Sequence, residues 1–374
     1  MEDNKNKKVP NVPTLRFPEF AKNDDWLSLK IYEVCKITTG TFDANAMSNS
    51  GKFPFFTCAK KVYRIDKYTF DVEALLVSGN GANVGYIHYC NGKFSAYQRT
   101  YVLWDFNINI FFVKYFLEGF LKARIFKERR DGNTPYIVLD TLRKFNLYAP
   151  KLEEQSKIAN FLSLIDKRIE LQNKIIKNYK LLKKGIQNYF FKNINSDNSY
   201  SLSCFLEEYT LKNLKNNLQV VSVGKYGIRQ RNEIYSKVLS DDLSKNKVIF
   251  QDTLTIGMGT KQIDFGILSK NVEYCVSPAY RTYKIKNINS EYLKYYLEII
   301  NNQLSRKYMI ISARQGTIID NKSFLKYQLV VHPILKQNYI VNVINIIQKY
   351  LTISDDILET HKDLKKYLLK HIFI

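Results

Sequence analysis

The chain has 374 residues, 45% of them hydrophobic, with 57 Lys and Arg against 35 Asp and Glu, a formal net charge of +22 and a pI near 9.5. That length exceeds one ordinary core and fits two or more domains, while the sequence shows no long apolar run and no signal-peptide core, a pattern that predicts a cytoplasmic protein. The cationic surplus favours a polyanionic partner, nucleic acid first, although a Lys- and Asn-rich composition lifts charge in ordinary proteins as well.

In chain order, a first globular part is predicted over 1–150, with strand-like runs "ALLVSGN" and "QRTYVLW" broken by Gly and Asn turns, and a helix at "NIFFVKYFLEGFLKARIF". A long helix occupies much of 151–195. The polar stretch "KNINSDNSYSLS" is the one clear linker. A second globular part, 196–333, brings "KVIFQDTLTIGMG" and "YRTYKI" as strands and "SEYLKYYLEIINNQL" as a helix, and a second long helix fills 334–374. The five cysteines, Cys35, Cys58, Cys90, Cys204 and Cys275, form no C-x-x-C pair and read as free thiols. His361 and His371 lack zinc-ligand spacing.

The second half repeats the first. A shift of 182 residues places Arg99-Thr100-Tyr101 on Arg281-Thr282-Tyr283, Gln155 on Gln337, Ile158 on Ile340 and Ile165 on Ile347. "SGNGANVGY" falls near "GMGTKQIDFG", and "RRDGNTP" near "ARQGTII". One repetition at so long a period means two homologous modules rather than a solenoid.

Both long helices carry heptads. One seam position takes Ile158, Ile165, Tyr179 and Ile186; the other takes Phe161, Ile175, Leu182 and Tyr189, with Leu162, Ile169 and Ile176 as a flanking stripe. In the second half Ile340, Ile347 and Leu368 pair with Val343, Tyr350, Ile357 and Leu364, and Ile344, Leu351 and Leu358 flank them. The flanking stripes are either widened core, the preferred reading, or a strip for another subunit's helices. Chain direction requires an antiparallel pair, a spacer of roughly 57 Å at 1.5 Å per residue, able to hold two reading heads apart on DNA. The predicted class is α+β: two mixed domains separated by an antiparallel two-helix coiled coil, with an internal pseudo-twofold.

The opening "VPTLRFPEF" followed by Asp25-Trp26, the run "YAPKLEEQSKIANFLSLIDKRIEL" and the shorter "HPILKQNYIVNVINIIQ" together resemble the specificity subunit of type I restriction-modification systems. The second copy lacks the acidic pair before Gln337, and the second half has no counterpart of "LRFPEF". The resemblance implies two target recognition domains (1–150 and 196–333), each reading half of a bipartite, asymmetric site in double-stranded DNA. It also implies conserved helices that dock two methyltransferase subunits, joined in some assemblies by restriction subunits. S-adenosylmethionine would bind to those partners and adenine would be methylated there. The chain itself needs no cofactor, and it has no N/D-P-P-Y/F motif, no Walker-type loop and no acidic cluster for two metals. A basic coiled-coil scaffold binding DNA without sequence preference, and a self-contained nuclease, are the rival readings.

The repeat separates candidate contacts into two kinds. Residues shared by both halves cannot distinguish two half-sites, so Arg99 and Arg281, with Arg130 and Arg314, suit phosphate contact or plain structure. Differing residues suit base readout: Asn80 and Asn83 against Lys261 and Gln262 in the Gly-rich loops, Lys60, Lys61 and Arg64 in "CAKKVYRID", and Lys225, Tyr226, Arg229, Gln230 and Arg231 in "GKYGIRQRNE". An ordinary hairpin turn and a solvated basic loop are the plainer alternatives for these stretches.

Overall fold

A computed structural model describes residues 11–128, 135–192, 194, 199–225, 227–231, 242–257, 259, 261–312 and 316–374. The chain divides into two units, Met1–Lys174 with Asp356–Ile374, and Ile175–Asp355. No described helix is long and apolar enough to cross a membrane.

In the first unit the chain forms β1 (Leu27–Lys30), α1 (Ile31–Val34), β2 (Lys36–Thr39), β3 (Phe53–Phe56), β4 (Tyr63–Ile65), β5 (Phe70–Ser78), β6 (Ile87–Ala96) and β7 (Thr100–Trp104). Then follow α2 (Ile110–Glu128), α3 (Leu139–Arg143), β8 (Asn146–Ala149) and the start of α4 (Leu152–Lys192). The main sheet has the order β2-β7-β5-β6-β3-β4, and β1 pairs with β8 apart from it. Ala74–Val77 of β5 is buried on both faces, so that segment reads as a continuous apolar run rather than an alternating one. Helix α2 is apolar around most of its girth because it is enclosed: Phe112, Phe116 and Leu121 pack with Leu162 and Ile165 of α4 and with Leu368, Leu369 and Phe373 at the chain end.

The second unit contains β9 (Ser199–Ser201), β10 (Leu206–Tyr209), β11 (Val221–Gly224), β12 (Gly227–Gln230), β13 (Lys247–Ile249), β14 (Thr253–Gly257), β15 (Asp264–Leu268), β16 (Tyr274–Val276) and β17 (Arg281–Ile285). After these come α5 (Ser290–Tyr308), β18 (Met309–Ser312), β19 (Gly316–Ile319), α6 (Asn321–Leu325), β20 (Gln328–Val330) and α7 (Ile334–Ile372), whose last turns belong to the first unit. Its four-stranded sheet, β10-β17-β14-β15, repeats β2-β7-β5-β6 in strand order, and β20 with β9 repeats β8 with β1. The sequence repeat is therefore a repeat of topology.

One buried glutamine fixes the same joint in each half. Gln155 accepts a hydrogen bond from the Asn109 amide at 3.0 Å and donates to the Pro150 carbonyl at 2.8 Å. Gln337 accepts from the Asn289 amide at 2.9 Å and donates to the His332 carbonyl at 2.8 Å. Asn109 and Asn289 in turn cap the shorter helices, accepting from the amides of Phe112 and Tyr292 at 3.0 Å. Each glutamine thus ties the start of a long helix to the start of the helix packed on it.

The long helices are antiparallel within each unit. In the first, Lys365 bonds Asp166 at 2.6 Å. In the second, Tyr179 stacks on Tyr350 at 5.8 Å, Lys183 donates to Gln348 at 2.9 Å and Phe190 meets Tyr339 edge-on at 6.4 Å, so partners fall in number along α7 as they rise along α4.

The heptad phase differs from expectation. Buried positions are Ile158, Leu162, Ile165 and Ile176 in α4, and Ile340, Ile344, Ile347, Leu351, Leu358 and Leu368 in α7. The seam therefore combines the first expected position with the flanking stripe. Ile175, Leu182, Tyr189, Tyr350, Ile357 and Leu364, expected at the seam, are instead 40–72% exposed, and Phe161 and Val343 are half-buried. Two apolar stripes compete for the partner, and packing against α2 and α5 decides: Leu162 and Ile165 join the α2 core, Ile340 and Ile344 the α5 core.

Candidate nucleic-acid interface

In the first unit three separated segments converge at one end of the sheet. The parallel pairing of β3 with the end of β6 carries the chain after Phe56 alongside the β6–β7 connection, where the Cys58 thiol donates to the Arg99 carbonyl at 3.3 Å and the β5–β6 loop comes close. There Asn83 donates its side-chain amide to the Cys58 carbonyl at 3.2 Å, and the His88 ring nitrogen lies 2.9 Å from the Ala59 carbonyl. Gly79 donates its amide to the Arg99 carbonyl at 2.9 Å. A Cβ on Gly79 would come 2.3 Å from that carbonyl oxygen, so no larger residue fits the approach. Gly81 and Gly85 hold positive φ values of 78° and 77°, which turn the loop tightly.

These contacts bring Lys60, Lys61, Asn80, Asn83 and Arg99 into one neighbourhood. Lys60 and Lys61 are exposed and lie over the rings of Tyr86 and Tyr63 at 5.7 and 5.4 Å. Asn80 bridges to Tyr136 through the backbone, and Arg99 is exposed. Arg64 is directed elsewhere: its guanidinium donates to the Gly51 and Lys52 carbonyls at 3.0 and 2.9 Å, which commits two of its five donors to the fold.

In the second unit β11 and β12 form a hairpin laid over β15. The approach is close enough that a Cβ on Gly266 would meet Ile228 at 2.7 Å. Lys225, Arg229 and Gln230 of this hairpin line a cavity of about 740 Å³ together with Lys270, Lys294 and Glu298. Arg231 follows as a half-buried residue whose amide donates to the Val220 carbonyl at 3.2 Å. In the β14–β15 loop Lys261 is exposed, while Gln262 donates its side-chain amide to Asn302.

The shared arginine differs in use between the halves. Arg281 is paired with Glu208 at 2.9 Å, whereas Arg99 has no such ion pair among the described residues. The tyrosines two positions on serve the fold. Tyr101 donates to the Ile137 carbonyl at 2.9 Å, and the fully buried Tyr283 donates to Asn321. Arg130, Arg314 and Tyr226 lie outside the described residues.

Sequence reasoning missed Lys183, Lys270 and Lys294. Lys183 is the one with a readable signal, because a charge at a heptad core position is out of place unless something polar faces it. Burial pulls its ammonium below the usual lysine range, with Lys294 adding to the effect and Glu298 opposing it.

Residues 23–181 match the family model described as the type I restriction modification DNA specificity domain. The specificity subunit of the Escherichia coli type I restriction enzyme EcoDI is 38% identical over 146 residues, 39% of this chain and 32% of that protein, so the match spans about a third of the curated relative. Among solved structures, the type I restriction-modification S subunit from M. genitalium superposes with a TM-score of 0.61 at 16% identity, covering 97% of this chain and 99% of that one. A structure described as the basis of complex assembly and conformational transition of the type I R-M system gives 0.56 at 14% identity, with 92% and 96% covered. At such identities the two superpositions show a shared fold.

Proposed function

We propose that this chain, whose residues 23–181 match the family model of the type I restriction modification DNA specificity domain, reads a bipartite, asymmetric site in double-stranded DNA and directs methyltransferase subunits to it. The observation that carries this reading is duplication with divergence. Both units keep the strand order, the glutamine joint and the capped helix, yet the first extends its sheet with β3 and β4 while the second lays the β11–β12 hairpin over β15. Common parts would hold the fold and the phosphates, and the differing parts, with Lys60, Lys61 and Asn83 in one and Lys225, Arg229 and Gln230 in the other, would read bases.

Partner docking rests on the exposed apolar residues of the long helices. The first unit presents Leu164 and Leu171 of α4 with Ile357 and Leu364 of α7, each at least 40% exposed. The second presents Ile346 and Ile353 with Ile175 and Leu182, and a shift of 182 maps one set onto the other. Two equivalent sets suit two copies of one helical partner, which bind S-adenosylmethionine and carry out adenine methylation; restriction subunits join where the system includes them. The test is co-expression with the cognate methyltransferase and single-molecule mapping of modified adenines. A split motif with two unlike halves is expected; an uninterrupted motif, or methylation with no sequence preference, sinks the reading.

A further inference from the structure

The internal duplication supplies a control on charge. A shift of 182 maps Lys183 onto Lys365 and Asp166 onto Gln348, while the shorter helices carry Lys114 and Glu118 in the first unit and Lys294 and Glu298 in the second. In the first unit the set is balanced. Lys365 bonds Asp166 at 2.6 Å and Glu118 at 2.7 Å, and Lys114 reaches the same two carboxylates at 3.3 and 2.9 Å. Two cations face two anions.

In the second unit a neutral amide replaces one carboxylate. Lys183 donates to Gln348 at 2.9 Å, and Glu298 accepts from Gln187 at 3.2 Å. Lys183, Lys294 and Glu298 all line the cavity that the β11–β12 hairpin borders, and so does Lys270. Even leaving aside Lys225 and Arg229 on the hairpin, three ammonium groups border the space with one carboxylate. A partly enclosed cavity with that surplus attracts an anion, since low-dielectric walls concentrate the field.

The remaining wall is apolar. Phe265, Ile267 and Tyr274 line it, and the volume of about 740 Å³ falls within the range that holds small organic ligands. We propose that this cavity binds a single unstacked nucleotide, its phosphate against Lys270 and Lys294 and its base against Phe265 and Tyr274. A nucleotide combines the negative charge and the flat apolar ring that the two walls call for, and it reaches the cavity either free in solution or as one residue of a DNA strand. The inference goes beyond the reading of bipartite DNA and stands without it, because charge and cavity are properties of this unit alone.

The experiment uses the full-length chain and its Lys270→Gln, Lys294→Gln and Lys270→Arg variants, each checked for an unchanged thermal melt. Equilibrium dialysis with labelled dAMP measures the free nucleotide, with inorganic phosphate as competitor, and anisotropy with a labelled 20-base-pair duplex measures DNA. Saturable dAMP binding is expected, weakened about tenfold by either Gln substitution and retained by Lys270→Arg. If duplex affinity is the same in all variants, the ligand is a free nucleotide. If duplex affinity also falls about tenfold and dAMP competes with the duplex, it comes from DNA. Three results overturn the proposal: no dAMP binding at millimolar concentration, binding indifferent to both Gln substitutions, or inorganic phosphate competing as well as dAMP. None of these bears on whether methylated sites are split, so the two readings fail separately.

Discussion

Removing the Gln155 carboxamide strands the Asn109 amide and the Pro150 carbonyl where the side chain is only 3% exposed and water has little access. Each unmet buried group costs about 1–3 kcal/mol and two are stranded, so Gln155→Ala is expected to destabilise the chain by at least about 2 kcal/mol, and Gln337→Ala by a similar amount through the same geometry. Denaturant melts of both variants check this; a loss below about 0.5 kcal/mol in either would show that the joint is dispensable. Another residue pair explains two departures of the second half at once. Arg16 of "LRFPEF" grips Glu154 with two hydrogen bonds of 2.8 Å, and both side chains are almost fully buried. The position equivalent to Glu154 is Lys336, and the second half has no "LRFPEF". A buried arginine opposite a lysine would be costly, so the loss of one partner goes with the loss of the other.

Among elements, the long helices show what a sequence can and cannot say. Their existence, span and mutual register were legible, because Ile158, Ile165 and Gln155 recur unchanged 182 residues on and that shift is a whole number of heptads. Their phase was not: Ile175 and Leu182 are as apolar as Leu162 and Ile176, and only the packing of α2 and α5 decides which stripe is covered. The candidate interface divides the same way. That Lys60 and Lys61 belong together is local, but their approach to Asn83 needs the parallel β3–β6 pairing, and the cavity gathers Lys183, Lys270 and Lys294 from three distant segments. The exposed stripe yields its own test. Leu182→Glu and Leu364→Glu alter residues 49% and 40% exposed, so each should change stability by no more than about 0.5 kcal/mol. On the proposed docking each is nevertheless expected to remove one methyltransferase copy, turning the proposed 2:1 assembly into 1:1 in native mass spectrometry. Retention of both copies would place docking on another face.

Across the molecule the proposed reading makes the two halves separable in function, because what they share would not discriminate sequence and what they do not share sits in different units. The β11–β12 hairpin takes in the second unit the place that β3 and β4 take in the first, with Val220 bridging Cys275 in parallel as Phe56 bridges Ala96, but it carries different side chains: Arg229 lies on its second strand with Arg231 just beyond it. An arginine set against guanine by two hydrogen bonds is worth about 1–3 kcal/mol of discrimination. Arg229→Ala or Arg231→Ala should therefore relax one half of the methylated motif by that amount and leave the other half untouched. Lys61→Ala, on the first unit's exposed segment, should do the reverse if it meets a base and weaken every site equally if it meets a phosphate. Methylome sequencing separates these outcomes by position within the motif. Changes in both halves from a single hairpin substitution would mean that the units do not read independently, and the division of labour inferred from their divergence would fall.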